Sequence, residues 1–487
     1  MKRIPIFFLM LVISLTGMAK GPVAPLPAGK ATVYPAPGGE QLSKFYKITA
    51  GKTDVPVYMA KIAPADAVKR AKAMDDKVSS ADYFDTAAFA YFDLTGSVTV
   101  TVTVPALVKQ AKVLPESAGI VPVIKGKTIS FRVSSARNLT VEVNGEWVRS
   151  LHIFVNPPEK DVPRADDPNV IYFGPGIHEI GSLAVGDNKT VYIAGGAIVR
   201  GIIKPEEKYW TNKDTGLRGY VPTFDLRGKN ITIRGRGIID QSSCTTHARN
   251  VISIRESADV RLEGVILRDA SLWTVPVRKS DRVFIDNIKL IGYRANSDGI
   301  DIANSRNVTV QNCFIRTLDD LVVVKSDKGQ GEVKDVLVKG CVLWNQVAHA
   351  LSIGAELREN VSNVLFTDCD IIHDQGREWL LRIYQCDAAL ISNVRFENIR
   401  IEQGKRYISL WIGKDIWSRD AERGRIQNVV FRNIQASGEP LTVQLIGIDN
   451  DHAIEDVLFQ QVLLNGVPLV KDRIAVNDFV KNVVVKP

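Results

Sequence analysis

The residues best suited to chemistry in this chain are acidic. Asp298 stands in Asn296-Ser-Asp-Gly299, Asp319 and Asp320 are neighbours, and His349 and Arg382 follow further along. Carboxylates crowded together cannot all ionise easily, so one is driven to keep its proton while the others stay charged. One protonated acid for a leaving oxygen, with one or two carboxylates to activate water, is what inverting hydrolysis of a glycosidic bond requires. A separation of about 6.5–9.5 Å leaves room for that water. On this reading Asp319 faces the glycosidic oxygen, while Asp298 and Asp320 hold the water. Each piece alone is ordinary: Asp pairs are common in turns, Asn-Ser-Asp-Gly reads as a turn, and a single His is more often structural. Their weight depends on whether the fold gathers them.

A repeat does so. A motif of β-branched, any, apolar, polar, then small-or-Asn recurs nine times, from Ile231-Thr-Ile-Arg-Gly235 to Val457-Leu-Phe-Gln-Gln461, at intervals of 23–35 residues. That is the mark of a solenoid. Leucine-rich spacing is absent, amphipathic helical stretches are absent, and β-branched residues dominate, so each coil is expected to hold three short strands. The fold class is therefore all-β: a right-handed parallel β-helix over 169–487, with coils stacked about 4.8 Å apart. The fifth motif position is expected to turn the chain and carry a hydrogen-bonded Asn ladder. Cys313, Cys341 and Cys369 follow that position 28 residues apart, which predicts an interior stack of thiols. The odd total of five cysteines also argues against a full disulfide framework. Asp298 lies eleven residues after Asn287, Asp320 eight after Asn312, His349 nine after Gly340 and Arg382 fourteen after Asp368. Four consecutive coils thus present them on one face, over roughly 15 Å.

The front of the chain reads differently. Met-Lys-Arg and a short apolar run ending near Ala19 read as a signal peptide over 1–19, which predicts a secreted or periplasmic protein. Period-two runs such as Ser97–Val104 and Thr128–Val133, with an Asn144-Gly145 turn, predict a β-sandwich over 20–156. Ala63–Lys77 is Ala- and Lys-rich and reads as a short helix, and the Pro-rich 157–168 reads as a linker. The net charge of +8 suits an anionic polymer or a generally basic exported protein, and it lacks the Lys/Arg runs interleaved with aromatics of a nucleic-acid binder. No further run is long enough for a membrane span. A monomer is expected.

The chemistry-bearing residues resemble a known signature. Asn296-Ser-Asp-Gly299, Asp319-Asp320 with Lys325-Ser326, His349 in Ala348-His-Ala-Leu-Ser-Ile-Gly354, and Arg382-Ile383 are similar, in order and spacing, to the motifs of the polygalacturonases, glycoside hydrolase family 28. The resemblance implies Asp319 as general acid, Asp298 and Asp320 as water-activating bases, His349 supporting the acid or its neighbours, and Arg382 binding substrate. It implies neither metal nor organic cofactor. Lys325 and Tyr384 join Arg382 as substrate-contact candidates. Two departures stand out: Tyr384 replaces the family's Lys, and Ala348 and Ala350 replace the glycines flanking the His. The front sandwich and Val191–Gly201 look more like the dextranases, glycoside hydrolase family 49, which cut neutral glucans. The substrate therefore stays open between a pectin-related and a neutral glycan. Trp273, Trp379, Trp417, Tyr407, His373 and Arg377 are further groove candidates, with packing the competing role for Trp344 and Trp411. A polysaccharide lyase using Ca²⁺ and an Arg base, and a non-catalytic glycan-binding protein, are the other readings.

Overall fold

The computed structural model describes residues 29–66, 83–211 and 216–487. The signal peptide predicted over 1–19 lies outside them, as does most of the helix predicted over Ala63–Lys77, whose described start is coil and turn. Apart from two 3-10 turns, at Glu116–Ala118 and Lys471–Arg473, all regular structure among the described residues is strand. None of the described helices is long and apolar enough to cross a membrane.

Strands from Lys30–Thr32 to Glu146–Asn156 form one six-stranded and one five-stranded sheet. Val98–Thr103 shows why they pack face to face. Its alternate residues Val98, Val100 and Val102 are buried, while the threonines between them are at least partly exposed. They meet Phe131, Leu139 and Ile153 in one apolar core.

From Val170–Phe173 onward the chain winds as a right-handed parallel β-helix. One strand of each coil adds to an eleven-stranded sheet, and the others build a continuous ladder of twenty-one strands. The repeat aligns residue on residue: Val283, Val308, Val336 and Val364 pair in successive coils. Phe366, Phe396, Phe431 and Phe459 stack inside at centroid spacings of 4.9, 5.0 and 5.0 Å. The nine fifth-position residues, Gly235, Gly264, Asn287, Asn312, Gly340, Asp368, Asn398, Asn433 and Gln461, all have positive φ. A turn is thus built at each copy, and Gly, Asn and Asp tolerate it best. The side-chain ladder is less regular there than expected. A longer one runs just before the motif, where Asn363, Asn393 and Asn428 also have positive φ and bond coil to coil, Asn393 to Asn363 at 3.3 Å and Asn428 to Asn393 at 2.7 Å.

Cys313, Cys341 and Cys369 are fully buried free thiols, and each donates to a backbone carbonyl two residues earlier. They form the predicted stack, with Cys341 between Cys313 and Cys369. A further apolar cluster joins the two units: Tyr58, Phe89 and Phe154 of the sandwich pack on Ile238, Ile266, Ile291, Phe314 and Trp344 of the helix. Side chains of this size each stabilise by about 1.5–3 kcal/mol when fully buried, so the sandwich is held firmly along that flank.

Candidate active site

The strands Val275–Arg278, Ile300–Ala303, Val322–Ser326, Leu351–Leu357 and Leu381–Gln385 are successive members of the eleven-stranded sheet. Their registers place Ile300, Val322, Leu351 and Leu381 in one inward-facing row. Carried two residues back, the same register stacks Trp273, Asp298, Asp320, His349 and Trp379 in a column at the mouth of the sheet. Backbone bonds hold that alignment, with Gly299 N donating to Asp320 O and Leu321 N to His349 O. Counted one residue onward from that row, Asp301 and Arg382 project from the sheet's outer face, where alternation also places Lys325 and Tyr384.

The three acids meet. Asp298, Asp319 and Asp320 each offer an oxygen, and these oxygens lie within 4.8 Å of one another. This nearest-oxygen closeness is a different measure from the roughly 6.5–9.5 Å between carboxyl groups that leaves room for a water. Its cause is the repeat itself, since Asp298 and Asp320 sit one strand spacing apart and Asp319 adjoins Asp320. Asp298 and Asp320 are buried, and Asp319 keeps partial exposure toward the cleft.

Their surroundings set different protonation states. Burial and the adjacent charges of Asp298 and Asp320 push the Asp319 carboxyl up to about 8. Burial also opposes charge on Asp320, but His349 outweighs it and holds that carboxyl below its ordinary value. The geometry explains how. His349 Nδ1 lies 2.6 Å from Asp320 Oδ1, and Arg382 Nη1 lies 2.9 Å from His349 Nε2. Arginine can only donate, so Nε2 accepts and the imidazole proton sits on Nδ1, aimed at Asp320. Arg382 is itself held by Glu378 Oε2 at 2.8 Å.

A second acidic pair lies behind the first. Lys325 Nζ is 3.2 Å from Asp298 Oδ2, 3.3 Å from Asp301 Oδ1 and 3.9 Å from Glu356 Oε2. Burial and the neighbouring Asp301 raise Asp298 well above the carboxylate range, and burial raises Asp301 to about 6 against the pull of Lys325. The pair therefore shares a proton over one ammonium, leaving Asp320 as the acid best poised to stay ionised. The cluster has the oxygen donors a divalent cation takes, but Lys325 already supplies a counter-charge at Asp298.

Several side chains stand where the sequence did not put them. Lys325, read as a substrate contact, is buried and committed to carboxylates, with its ammonium 4.2 Å from the Trp273 ring centre. His373 is not in the cleft. It lies on the long ladder, against the sandwich, between Trp147 at 4.8 Å and Trp344 at 4.3 Å, and bonds Glu142 and Gln403. Tyr407 is fully buried core, and Trp344 packs as its competing reading held. Trp273 and Trp379 flank the acids in the column, the former half-buried and the latter nearly covered. Tyr384 lies under the Arg382 guanidinium at 3.6 Å, edge-on to Trp411, and its hydroxyl donates to Asp415. Asp301, Glu356, Glu378 and Asp415 were missed. Only Asp301, in Asp298-Gly-Ile-Asp301, carried a signal, since three residues along a strand-entry turn bring two acids to one side.

Residues 176–483 match the family model for glycosyl hydrolases family 28. This chain belongs to that family. As a family 28 member it is similar to an exopolygalacturonase of Arabidopsis thaliana, 26% identical over 204 residues, or 40% of this chain and 46% of the relative. It is also similar to an endo-polygalacturonase of Pectobacterium carotovorum, 28% identical over 153 residues, or 31% of this chain and 37% of the relative. The family 28 chain thus spans under half the length of these two curated relatives. In fold it is similar to an exopolygalacturonase from Thermotoga maritima, with a TM-score of 0.52 and 18% identity over 65% of this chain and 84% of the other. Dex49A from Penicillium minioluteum covers more, with a TM-score of 0.60 and 12% identity over 93% of this chain and 96% of the other. The sandwich-plus-helix architecture is therefore shared with a protein outside the polygalacturonases.

Proposed function

We propose that this chain is an inverting glycoside hydrolase that cuts α-type bonds in a pectin-related polysaccharide outside the cytoplasm, without a cofactor. One observation carries the reading: Asp319 is kept protonated up to about pH 8, within 4.8 Å of Asp320, whose charge is favoured. Asp319 gives its proton to the leaving oxygen. Asp320 takes a proton from a water that Asp298 helps to orient, and that water attacks the anomeric carbon from the opposite face. Inversion is preferred because two carboxylates face the acid, and each already has its inner oxygen engaged, by His349 or Lys325. Proton NMR of the first-formed product decides: an anomer of unchanged configuration would overturn inversion.

A neutral substrate is the second reading, and a specific contact favours it. Where a uronate-binding site needs free cations, Arg382 is bonded to Glu378 and Tyr384 to Asp415. A sugar carboxylate placed there meets two other carboxylates. Reducing-end release from homogalacturonan and from dextran, with product sizing, separates the two. Lysis is disfavoured because Arg382 is held as a donor by His349 and Glu378, and a product absorbing in the ultraviolet would restore it.

A further inference from the structure

Beyond the acids, a hairpin stands at the other end of the same face. Tyr209–Thr211 pairs with Arg218–Tyr220, setting Trp210 opposite Gly219. Trp210 is 54% and Tyr209 50% exposed, and the only other exposed tryptophan among the described residues is Trp417. An exposed indole adds little to a core. Here the small cluster beneath is made by Tyr220, Cys244 and Ala248 without it. The indole is nevertheless held flat. A Cβ added at Gly219 would lie 2.6 Å from Trp210 Cε2 and Nε1, so one ring face rests on bare backbone. Beside it the Arg218 guanidinium covers the Tyr209 ring at 4.3 Å.

The hairpin belongs to the wall that carries the acids. It lies in the segment entering Phe224–Leu226, as the catalytic loops enter their own strands of the eleven-stranded sheet. That strand precedes Ile300–Ala303 by three places in the sheet order, roughly 14 Å along the stack. The intervening loops touch in series. Glu207 bonds Arg249 at 2.5 Å, and Tyr220 N donates to Ala248 O. Arg294 donates to the carbonyls of Gln241 and Ser242, and Asn296 lies 3.5 Å from Asp319.

We propose that Trp210 is a distal sugar-binding subsite, where one pyranose of the substrate chain stacks its apolar face roughly three residues from the bond that is cut. The inference rests on the cleft being a glycan-cleaving site. A flat ring fixed in advance spends little conformational entropy on binding. Stacking on C–H faces also serves charged and neutral sugars alike.

The test uses the Asp319→Asn protein, whose turnover is expected to be slow, and calorimetric titration with oligogalacturonides and isomalto-oligosaccharides of two to eight residues. Affinity in this parent should climb once the chain is long enough to reach the hairpin. Trp210→Ala should then weaken the longer ligands about tenfold and leave the shortest unchanged. Gly219→Ala, which displaces the ring without removing it, should act in the same direction. Equal weakening at every length, or none at any length, overturns the subsite. If wild type hydrolyses a glycan while the Trp210→Ala length profile is unaltered, this proposal alone fails. If neither ligand series binds the parent and neither polymer is cut, the functional reading fails and takes the subsite with it.

Discussion

His349 sits between Asp320 and Arg382, 2.6 Å from the carboxylate through Nδ1 and 2.9 Å from the guanidinium through Nε2. Arg382 fixes the tautomer, and the tautomer fixes which acid stays charged. Replacing His349 by Ala removes the N–H that holds Asp320 down. Activity needs Asp320 ionised, so the acid limb of the pH–rate profile should move to higher pH, and kcat/KM should fall roughly a hundredfold. An unmoved acid limb would show that His349 does not set the state of Asp320.

The basic limb should belong to Asp319. Its carboxyl must be protonated to act, and it loses the proton near pH 8, so activity should decline as pH rises through about 8. The same shift bears on stability. Because the folded value is raised, the stabilisation from holding the neutral form is complete below the ordinary Asp value of 3.8, and it diminishes between there and about 8. Asp319→Asn should flatten that part of a Tm-against-pH curve.

Asp319→Asn keeps shape and removes the proton donor. Turnover should drop by about 10²–10⁴, with an unchanged far-ultraviolet spectrum and a Tm no lower than wild type. Activity close to wild type would take Asp319 out of the acid role.

Lys325→Met should do damage of a different kind. It strands Asp298 and Asp301 beside each other without their ammonium, and breaking a buried ion pair from one side costs about 3–5 kcal/mol. Denaturant midpoints would measure the loss. Adding Asp301→Asn to the same protein should recover part of it, since the shared proton can then stay on Asp298 and no orphaned charge is left.

The helix and the acid column were legible because period becomes position in a solenoid. Counting from Asn287, Asn312, Gly340 and Asp368 placed Asp298, Asp320, His349 and Arg382 on adjacent strands. His373, read as part of the loop before Arg382, lies instead on a strand whose outer face turns to the sandwich, a contact that sequence could not show. Lys325 was read as a substrate contact because an ammonium facing a cleft and one consumed by Asp298, Asp301 and Glu356 have the same place in the sequence. Glu378 and Asp415 lie in loops outside the repeat, so only coordinates could bring them to Arg382 and Tyr384.

The stacking of Trp273, Asp298, Asp320, His349 and Trp379 constrains how such a protein can change over evolutionary time. With one member of the column drawn from each turn of the spiral, excising any turn in the middle deletes a role and misaligns its neighbours. Turns gained or lost beyond either tryptophan leave the reacting centre intact and only lengthen or shorten the track along which polymer lies. Appetite for longer or shorter chains can thus drift at the ends while the chemistry stays put.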